Sequence, residues 1–131
     1  MSLFNYGDFD LHSGNKSKFK IDCSVLVWND ENNIAQLISN VIPPFNNVVG
    51  IPKGGTRLAS LLSKYTNGSS NRILIVDDVL TTGNSMETKK KEIESTIDDG
   101  KEVIGVVMFA RNECPHWIIP IFTLGERFRD I

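Results

Sequence analysis

The stretch that decides the fold is ILIVDDVLTTGNS, which occupies residues 73–85. It begins with four apolar residues, continues with the acidic pair Asp77 and Asp78, and ends with hydroxyl side chains around a glycine. A short apolar run of this kind is typical of a buried strand. We therefore predict a strand, a loop at the acidic pair, and a helix capped by Asn84 or Ser85.

The segments on either side predict that strands and helices alternate. Apolar and β-branched runs predict strands at residues 18–28, 47–51, 72–76 and 101–110. Helical periodicity and capping residues predict helices at residues 29–42, at residues 56–65 with Thr56 as the cap, and from the opening stretch to about Gly100. Such an alternation forms parallel sheets through right-handed crossovers. We expect an α/β fold: a single domain with a mainly parallel sheet, helices on both faces and a small N-terminal strand extension.

Composition is that of a globular protein with one domain, spanning residues 1–131. The chain has 131 residues, of which 40% are hydrophobic, and a net charge of −2 at pH 7. A broad nucleic-acid surface would need a clustered excess of Lys and Arg, so we expect no nucleic-acid partner. No apolar run reaches the roughly 18 residues that span a bilayer, so we expect no membrane partner. A net charge close to zero still allows a small pocket for a phosphorylated ligand.

The cysteines indicate a cytoplasmic protein. Cys23 and Cys114 lie far apart and form no disulfide pattern. The N-terminus lacks the basic segment and apolar run of an export signal. Cys114 and His116 are two positions apart, but a structural metal site usually needs four ligands. We therefore expect no metal bound directly to the protein.

The loop that opens the third predicted helix has the composition of an anion site. Its residues are Thr81, Thr82, Gly83, Asn84 and Ser85. Unpaired backbone N–H groups and the positive end of the helix dipole favour an anion there, and the hydroxyls add donors. The chain has neither the nucleotide P-loop nor the dinucleotide fingerprint. The phosphate therefore belongs to another kind of ligand.

The acidic pair comes just before this loop, so its carboxylates are expected about one sugar away from the bound phosphate. There, the carboxylates of Asp77 and Asp78 could accept hydrogen bonds from vicinal ribose hydroxyls. The alternative is an exposed strand end followed by a capped helix, because Asp is common in turns. The full order of residues favours a ribose 5-phosphate site.

A second loop is predicted at the same edge of the sheet, where the carboxyl ends of parallel strands meet. It contains Lys53, Gly54 and Gly55 after Pro52. Its cation and bare backbone amides suit a second phosphate group. A plain turn would have the same residue types, and that alternative stays open.

With these motifs the sequence resembles the type I phosphoribosyltransferases, whose signature is an apolar strand, two acidic residues and a hydroxyl-and-glycine loop that binds phosphoribosyl pyrophosphate. Residues 76–85 match it. Within that family the chain is most similar to orotate phosphoribosyltransferase. Residues 9–17, FDLHSGNKS, follow an aromatic-x-Leu-x-Ser-Gly-x-x-Ser pattern of those enzymes, and Arg111 falls where the family places an arginine near the pyrimidine carboxylate.

The resemblance implies transfer of a phosphoribosyl group from phosphoribosyl pyrophosphate to orotate or a related pyrimidine base, with release of pyrophosphate. Mg²⁺ is implied as a cofactor that bridges the ligand's oxygens, and a homodimer is implied as the assembly. The implied catalytic residues are Asp77 and Asp78, which hold the ribose hydroxyls and stabilise positive charge at C1. The implied phosphate ligands are Thr81, Thr82, Gly83, Asn84 and Ser85 for the 5-phosphate, and Lys53, Gly54 and Gly55 for pyrophosphate.

The base is implied to lie against residues 19–21, which include Phe19 and Lys20, and near Arg111 and His12. Each assignment has an alternative. Phe19 is more often a core residue than a stacking platform. Arg111 could be a surface charge at a strand end, and His12 a structural residue.

The sequence departs from the family at residues 66–72. The family has a further strand and a mobile cationic lid between the second helix and the acidic strand. The seven residues TNGSSNR can turn the chain but cannot supply both elements. The alternative function is therefore a non-catalytic binding or regulatory module that retains the phosphoribosyl pyrophosphate pocket.

Overall fold

A computed structural model describes residues 3–10, 16–23, 26, 28–97 and 100–124. Its strands are β1 (Phe4–Asp10), β2 (Lys16–Ile21), β3 (Asn47–Gly50), β4 (Arg72–Leu80), β5 (Glu102–Ala110) and β6 (Ile118–Thr123). Its α-helices are α1 (Trp28–Val41), α2 (Gly54–Leu62) and α3 (Asn84–Glu94), and a 3-10 turn over Ser63–Tyr65 follows α2. None of the helices among these residues is long and apolar enough to cross a membrane.

The main sheet has four parallel strands in the order β3–β4–β5–β6, and β1 and β2 form a separate antiparallel pair. The central strands β4 and β5 are almost wholly apolar up to Val76 and Ala110, because both of their faces are covered. The predicted α/β fold with a mainly parallel sheet and an N-terminal strand extension is confirmed.

Helices cover both faces of this sheet. Val76 packs with Ile38 of α1 and Leu58 of α2 in one core. Ile75, its neighbour in β4, packs with Met86 of α3 in a second core. Successive side chains of a strand point to opposite faces, so β4 contributes alternately to the two cores.

The crossovers that contain α2 and α3 have opposite hands. Both step to the neighbouring strand in the same direction, from β3 to β4 and from β4 to β5. The two helices nevertheless lie on opposite faces. Two right-handed crossovers in this strand order would place both helices on one face. The prediction that every crossover is right-handed is therefore wrong. The hand depends on the side of β3 to which the chain steps, and the link of residues 66–71 takes the chain directly from α2 to β4.

Two helix starts differ from the prediction. The strand predicted over residues 18–28 ends at Ile21, and α1 begins at Trp28, one residue before the predicted start at residue 29. Likewise, α2 begins at Gly54, and Thr56 lies in its first turn, where its hydroxyl donates to the Lys53 carbonyl at 2.7 Å. The sequence does not distinguish a Thr at a cap from a Thr in the first turn, because the Thr side chain can hydrogen-bond to nearby backbone groups in either position.

The end of the third helix also differs. It ends at Glu94, and Gly100, the predicted stop, lies six residues further on with a φ of 90°. The intervening residues include Ser95 and Thr96, whose hydroxyls donate to backbone carbonyls of the last helical turn. Such local bonds offer the backbone an alternative to a further helical turn.

Candidate functional site

A cleft of about 270 Å³ lies at the carboxyl edge of the sheet. Both predicted loops line it: Pro52, Lys53 and Gly54 on one side, and residues 77–86 on the other. The carboxyl ends of adjacent parallel strands converge at such an edge, and ligands of open α/β sheets bind there. The remaining lining residues are Ile21, Ile51 and Arg111.

The acidic pair belongs to β4 itself. The strand was predicted to end at Val76, but Asp77 pairs with Val107 and the ladder continues through Leu80. The prediction of a loop at Asp77 is therefore wrong. The long strand β5 supplies hydrogen-bond partners along this whole length, which the residues of β4 alone do not reveal.

Backbone groups hold both carboxylates. The Asp78 N–H donates to Asp77 Oδ1, and the Val79 N–H donates to Asp78 Oδ1, both at 2.8 Å. Both carboxyl residues are half-buried. Fixed, partly desolvated carboxylates are stronger acceptors for ligand hydroxyls than mobile ones in water.

The pKa of Asp77 is raised to about 8. Burial of the carboxyl is the main cause, followed by the hydrogen bond to the Asp78 side chain and the negative charge of Asp78. One proton shared at this pair relieves the repulsion between neighbouring carboxylates. Near neutral pH the free site therefore carries less negative charge than two Asp residues suggest.

This raised pKa predicts a pH-dependent stability. Asp77 has a pKa of 3.8 when unperturbed, so between about pH 4 and pH 8 the folded chain keeps a proton that the unfolded chain has lost. The free energy of unfolding should fall as the pH rises through this window, and level off above it. Urea unfolding over about pH 5 to 9 measures this slope. Asp77→Asn should flatten it, and equal slopes in both proteins would contradict the assignment.

Two glycines allow the start of α2 to approach the end of β4. A side chain at Gly54 would collide with the Asp78 carboxyl, and one at Gly55 would collide with the Val76 carbonyl. Close backbone approach is therefore the reason for glycine at both positions. Gly55 is buried and does not line the cleft, whereas Lys53 and Gly54 are exposed at it.

Residues 81–85, called the phosphate loop from here on, lead into α3. Gly83 caps the helix with a φ of 83°, in the left-handed region that favours glycine. The predicted caps Asn84 and Ser85 instead lie in the first turn. The Asn84 N–H faces the Thr82 hydroxyl, with N and Oγ1 3.4 Å apart. All five loop residues line the cleft, which receives the positive end of the helix dipole.

Arg111 contributes a cation to the same cleft. The residue is only 7% exposed, and burial lowers the pKa of its guanidinium. The alternative that it is a surface charge is therefore wrong. Its backbone N–H donates to the Leu80 carbonyl at 3.1 Å, so the end of β5 is tied to the end of β4.

The rest of the predicted base site stays a prediction. His12 lies outside the described residues, as do the side chains of Phe19 and Lys20. Ile21, the last residue of β2, is buried and lines the cleft. The end of the N-terminal strand pair therefore reaches the place where the resemblance puts the base.

Cys23 is a neighbour of the site that sequence reasoning missed. Its pKa is raised to about 12, mainly by burial and then by the charge of Asp78. The thiol therefore stays protonated and unreactive near neutral pH. Nothing in the sequence indicates this proximity, because the cysteine and the acidic pair are more than fifty positions apart.

No group of three or more His, Cys, Asp or Glu side chains in the described part of the chain could hold a metal ion. Cys114 and His116 thus have no further ligands among these residues.

No protein-family model matches the sequence, and no curated protein matches it. Solved structures do match. Orotate phosphoribosyltransferase from Aeropyrum pernix has 22% identity and a TM-score of 0.69, over 92% of this chain and 88% of that chain. Adenine phosphoribosyltransferase from Leishmania tarentolae has 13% identity and a TM-score of 0.62, over 82% and 77%. A hypothetical protein from Neisseria gonorrhoeae with bound ppGpp has 16% identity and a TM-score of 0.53, over 77% and 82%.

These similarities show that the chain has the type I phosphoribosyltransferase fold. The predicted resemblance is confirmed at the level of the fold. These three structures are an orotate phosphoribosyltransferase, an adenine phosphoribosyltransferase and a hypothetical protein with bound ppGpp, so the fold by itself does not select a function. Function has to be argued from the cleft.

Proposed function

We propose that this protein transfers a phosphoribosyl group from phosphoribosyl pyrophosphate to orotate or a related pyrimidine base and releases pyrophosphate. The observation that carries the proposal is that one cleft combines three kinds of group. They are a helix N-terminus with hydroxyls, a half-buried acidic pair, and Lys53 beside glycine backbone. The helix N-terminus suits a phosphate, the acidic pair suits the hydroxyls of a ribose, and Lys53 with the glycine backbone suits a pyrophosphate.

In this proposal the phosphate loop binds the 5-phosphate through backbone N–H groups and hydroxyls. Asp77 and Asp78 accept hydrogen bonds from the ribose hydroxyls, one sugar length away. As the bond from C1 to pyrophosphate breaks, positive charge develops at C1, and the two carboxylates stabilise it. Lys53 and the Gly54 backbone stabilise the departing pyrophosphate, and a Mg²⁺ that enters with the substrate would supply further positive charge there.

Arg111 is the proposed contact for the base. A guanidinium suits a base that bears a carboxylate, because it can donate two parallel hydrogen bonds to the carboxylate oxygens. Burial strengthens such a pair by excluding water. Orotate, a base that bears a carboxylate, is therefore the first base to test.

A panel of nucleobases tests the proposal. The protein is incubated with phosphoribosyl pyrophosphate, Mg²⁺ and one base at a time, and pyrophosphate release is compared with a control without base. Orotate should raise the rate above the control, and Arg111→Gln should lower the rate with orotate more than the rate without a base. The proposal would fail if the protein bound phosphoribosyl pyrophosphate and no base raised its turnover.

One observation favours a second candidate, a binding or regulatory module for a phosphorylated nucleotide. Residues 66–71 join α2 to β4 without any helix or strand, so this link contains no cover for the cleft. A protein of the same fold was solved with bound ppGpp. Tight binding of phosphoribosyl pyrophosphate or ppGpp without turnover would favour this candidate.

A further inference from the structure

The connection between β5 and β6, residues 111–117, contacts the phosphate loop and the helix that follows it. Asn112 Nδ2 donates to the backbone carbonyl of Thr81 at 3.1 Å. Trp117 Nε1 donates to Glu87 Oε1 at 2.8 Å. Thr81 is the first residue of the phosphate loop, and Glu87 lies in the first turn of α3. The connection therefore contacts the start of the phosphate loop and the first turn of the helix that follows it.

The bond to Thr81 fixes the direction of a carbonyl group. Asn112 does not line the cleft, so the carbonyl that it binds points towards the connection. A carbonyl oxygen that faced the cleft would repel a phosphate, whereas the N–H groups of the loop attract it. Asn112 thus removes an unfavourable dipole from the anion position.

The bond to Glu87 fixes the direction of a negative charge. A carboxylate in the first turn of a helix is attracted to the same positive end as a ligand phosphate, and would compete with it. Trp117 is itself held in place: its ring packs closely over Gly105, and the Lys90 ammonium lies 5.2 Å from the ring centroid. The indole N–H therefore keeps the Glu87 carboxylate at the side of the helix.

We infer that Asn112 and Trp117 are positioning residues that prepare the phosphate loop for an anion, one by holding the Thr81 carbonyl and the other by holding the Glu87 carboxylate. This inference rests on the proposed function and adds to it a set of residues outside the cleft. It predicts effects that are specific to the phosphate end of the site.

Asn112→Ala tests the first half. Ribose 5-phosphate and pyrophosphate are titrated separately by calorimetry in the presence of Mg²⁺. Loss of one hydrogen bond should weaken ribose 5-phosphate binding by about three- to tenfold and leave pyrophosphate binding unchanged. Asn71→Ala is the matched control, because Asn71 Nδ2 makes the same kind of bond to the Gly100 carbonyl, at 2.5 Å, at the opposite end of the sheet. It should change neither affinity.

Trp117→Phe tests the second half, since it keeps an aromatic ring and removes the N–H donor. Ribose 5-phosphate binding should weaken by a similar factor. Adding Glu87→Gln should restore it, because the released side chain then carries no charge. A role of Trp117 in stability alone would not be rescued in this way.

The following results of these titrations would contradict the inference. Equal weakening of both ligands in Asn112→Ala, or unchanged binding of ribose 5-phosphate, would overturn the role of Asn112. A failure of Glu87→Gln to restore binding would overturn that of Trp117. If the unmodified protein bound no ribose 5-phosphate, the proposed function would fall, and the inference with it.

Discussion

Replacing both Asp77 and Asp78 with Asn should weaken binding of phosphoribosyl pyrophosphate by about two to four orders of magnitude. Each charge-assisted hydrogen bond contributes about 1.5–3 kcal/mol, so two lost bonds give about 3–6 kcal/mol. The titration is best done near pH 9, above the Asp77 pKa of about 8, where the Asp77 carboxyl is mostly ionised before the ligand binds. Calorimetry gives the affinity directly.

The free energy of unfolding should change far less than the affinity. Asn has the shape of Asp, and near neutral pH an amide at position 77 resembles the protonated carboxyl that the raised pKa implies. The Asn side-chain oxygens can still accept the two backbone N–H bonds that the carboxylates accept. Asp30→Asn is the control for the loss of a negative charge outside the cleft, because Asp30 lies at the exposed start of α1. Unchanged affinity in the double variant would overturn the ribose site.

Transfer should be slow and accompanied by hydrolysis of phosphoribosyl pyrophosphate to ribose 5-phosphate. The link that would carry a cover has only residues 66–71, and it lies at the opposite end of the sheet from the cleft. We therefore expect water to reach C1 and to compete with the base. It also raises the effective dielectric constant, so Lys53 stabilises the leaving pyrophosphate less than it would in a closed site. Product analysis by chromatography measures the ratio of nucleotide to ribose 5-phosphate.

Fast transfer with no detectable ribose 5-phosphate would contradict an open site. The cover would then come either from another chain, as a homodimer allows, or from a segment of this chain other than residues 66–71. Activity per chain should in the first case rise with protein concentration, because association completes the site. Constant activity per chain over a wide concentration range would exclude a cover supplied by a second copy.

The elements that the sequence predicted well are those whose signal is local. The apolar runs of β3, β4 and β5 and the glycine-and-hydroxyl segment before α3 are contiguous. The misjudged features depend on neighbours that are distant in sequence. The strand β4 extends past Val76 because β5 pairs with it. The hand of the α2 crossover depends on the side of β3 on which β4 pairs. Strand pairing is a tertiary property that local preference does not encode.

The candidate site divides in the same way. Residue types at Lys53, Asp77 and the phosphate loop indicated a phosphorylated sugar before any geometry was known. The raised pKa of Asp77, the burial of Arg111 and the contact from Asn112 to the phosphate loop were not predicted. Each arises where segments thirty or more positions apart meet, or where burial changes the behaviour of a charged group.

The opposite hands of the two crossovers give a rule for redesigning this protein. Lengthening the link of residues 66–71 by a few residues would only extend a loop at the end of the sheet opposite the cleft. At the rise per residue of a β-strand, the start of β4 at Arg72 lies about 17 Å from Asp77. A graft that covers the cleft must instead contain a complete strand that runs up to it, and a return segment of at least five extended residues. Placed on the outer edge of β3, that strand would reverse the direction of the step that follows α2, and with it the hand of the α2 crossover. The exposed Gly68–Ser69 turn is the point at which such an insertion disturbs no strand or helix.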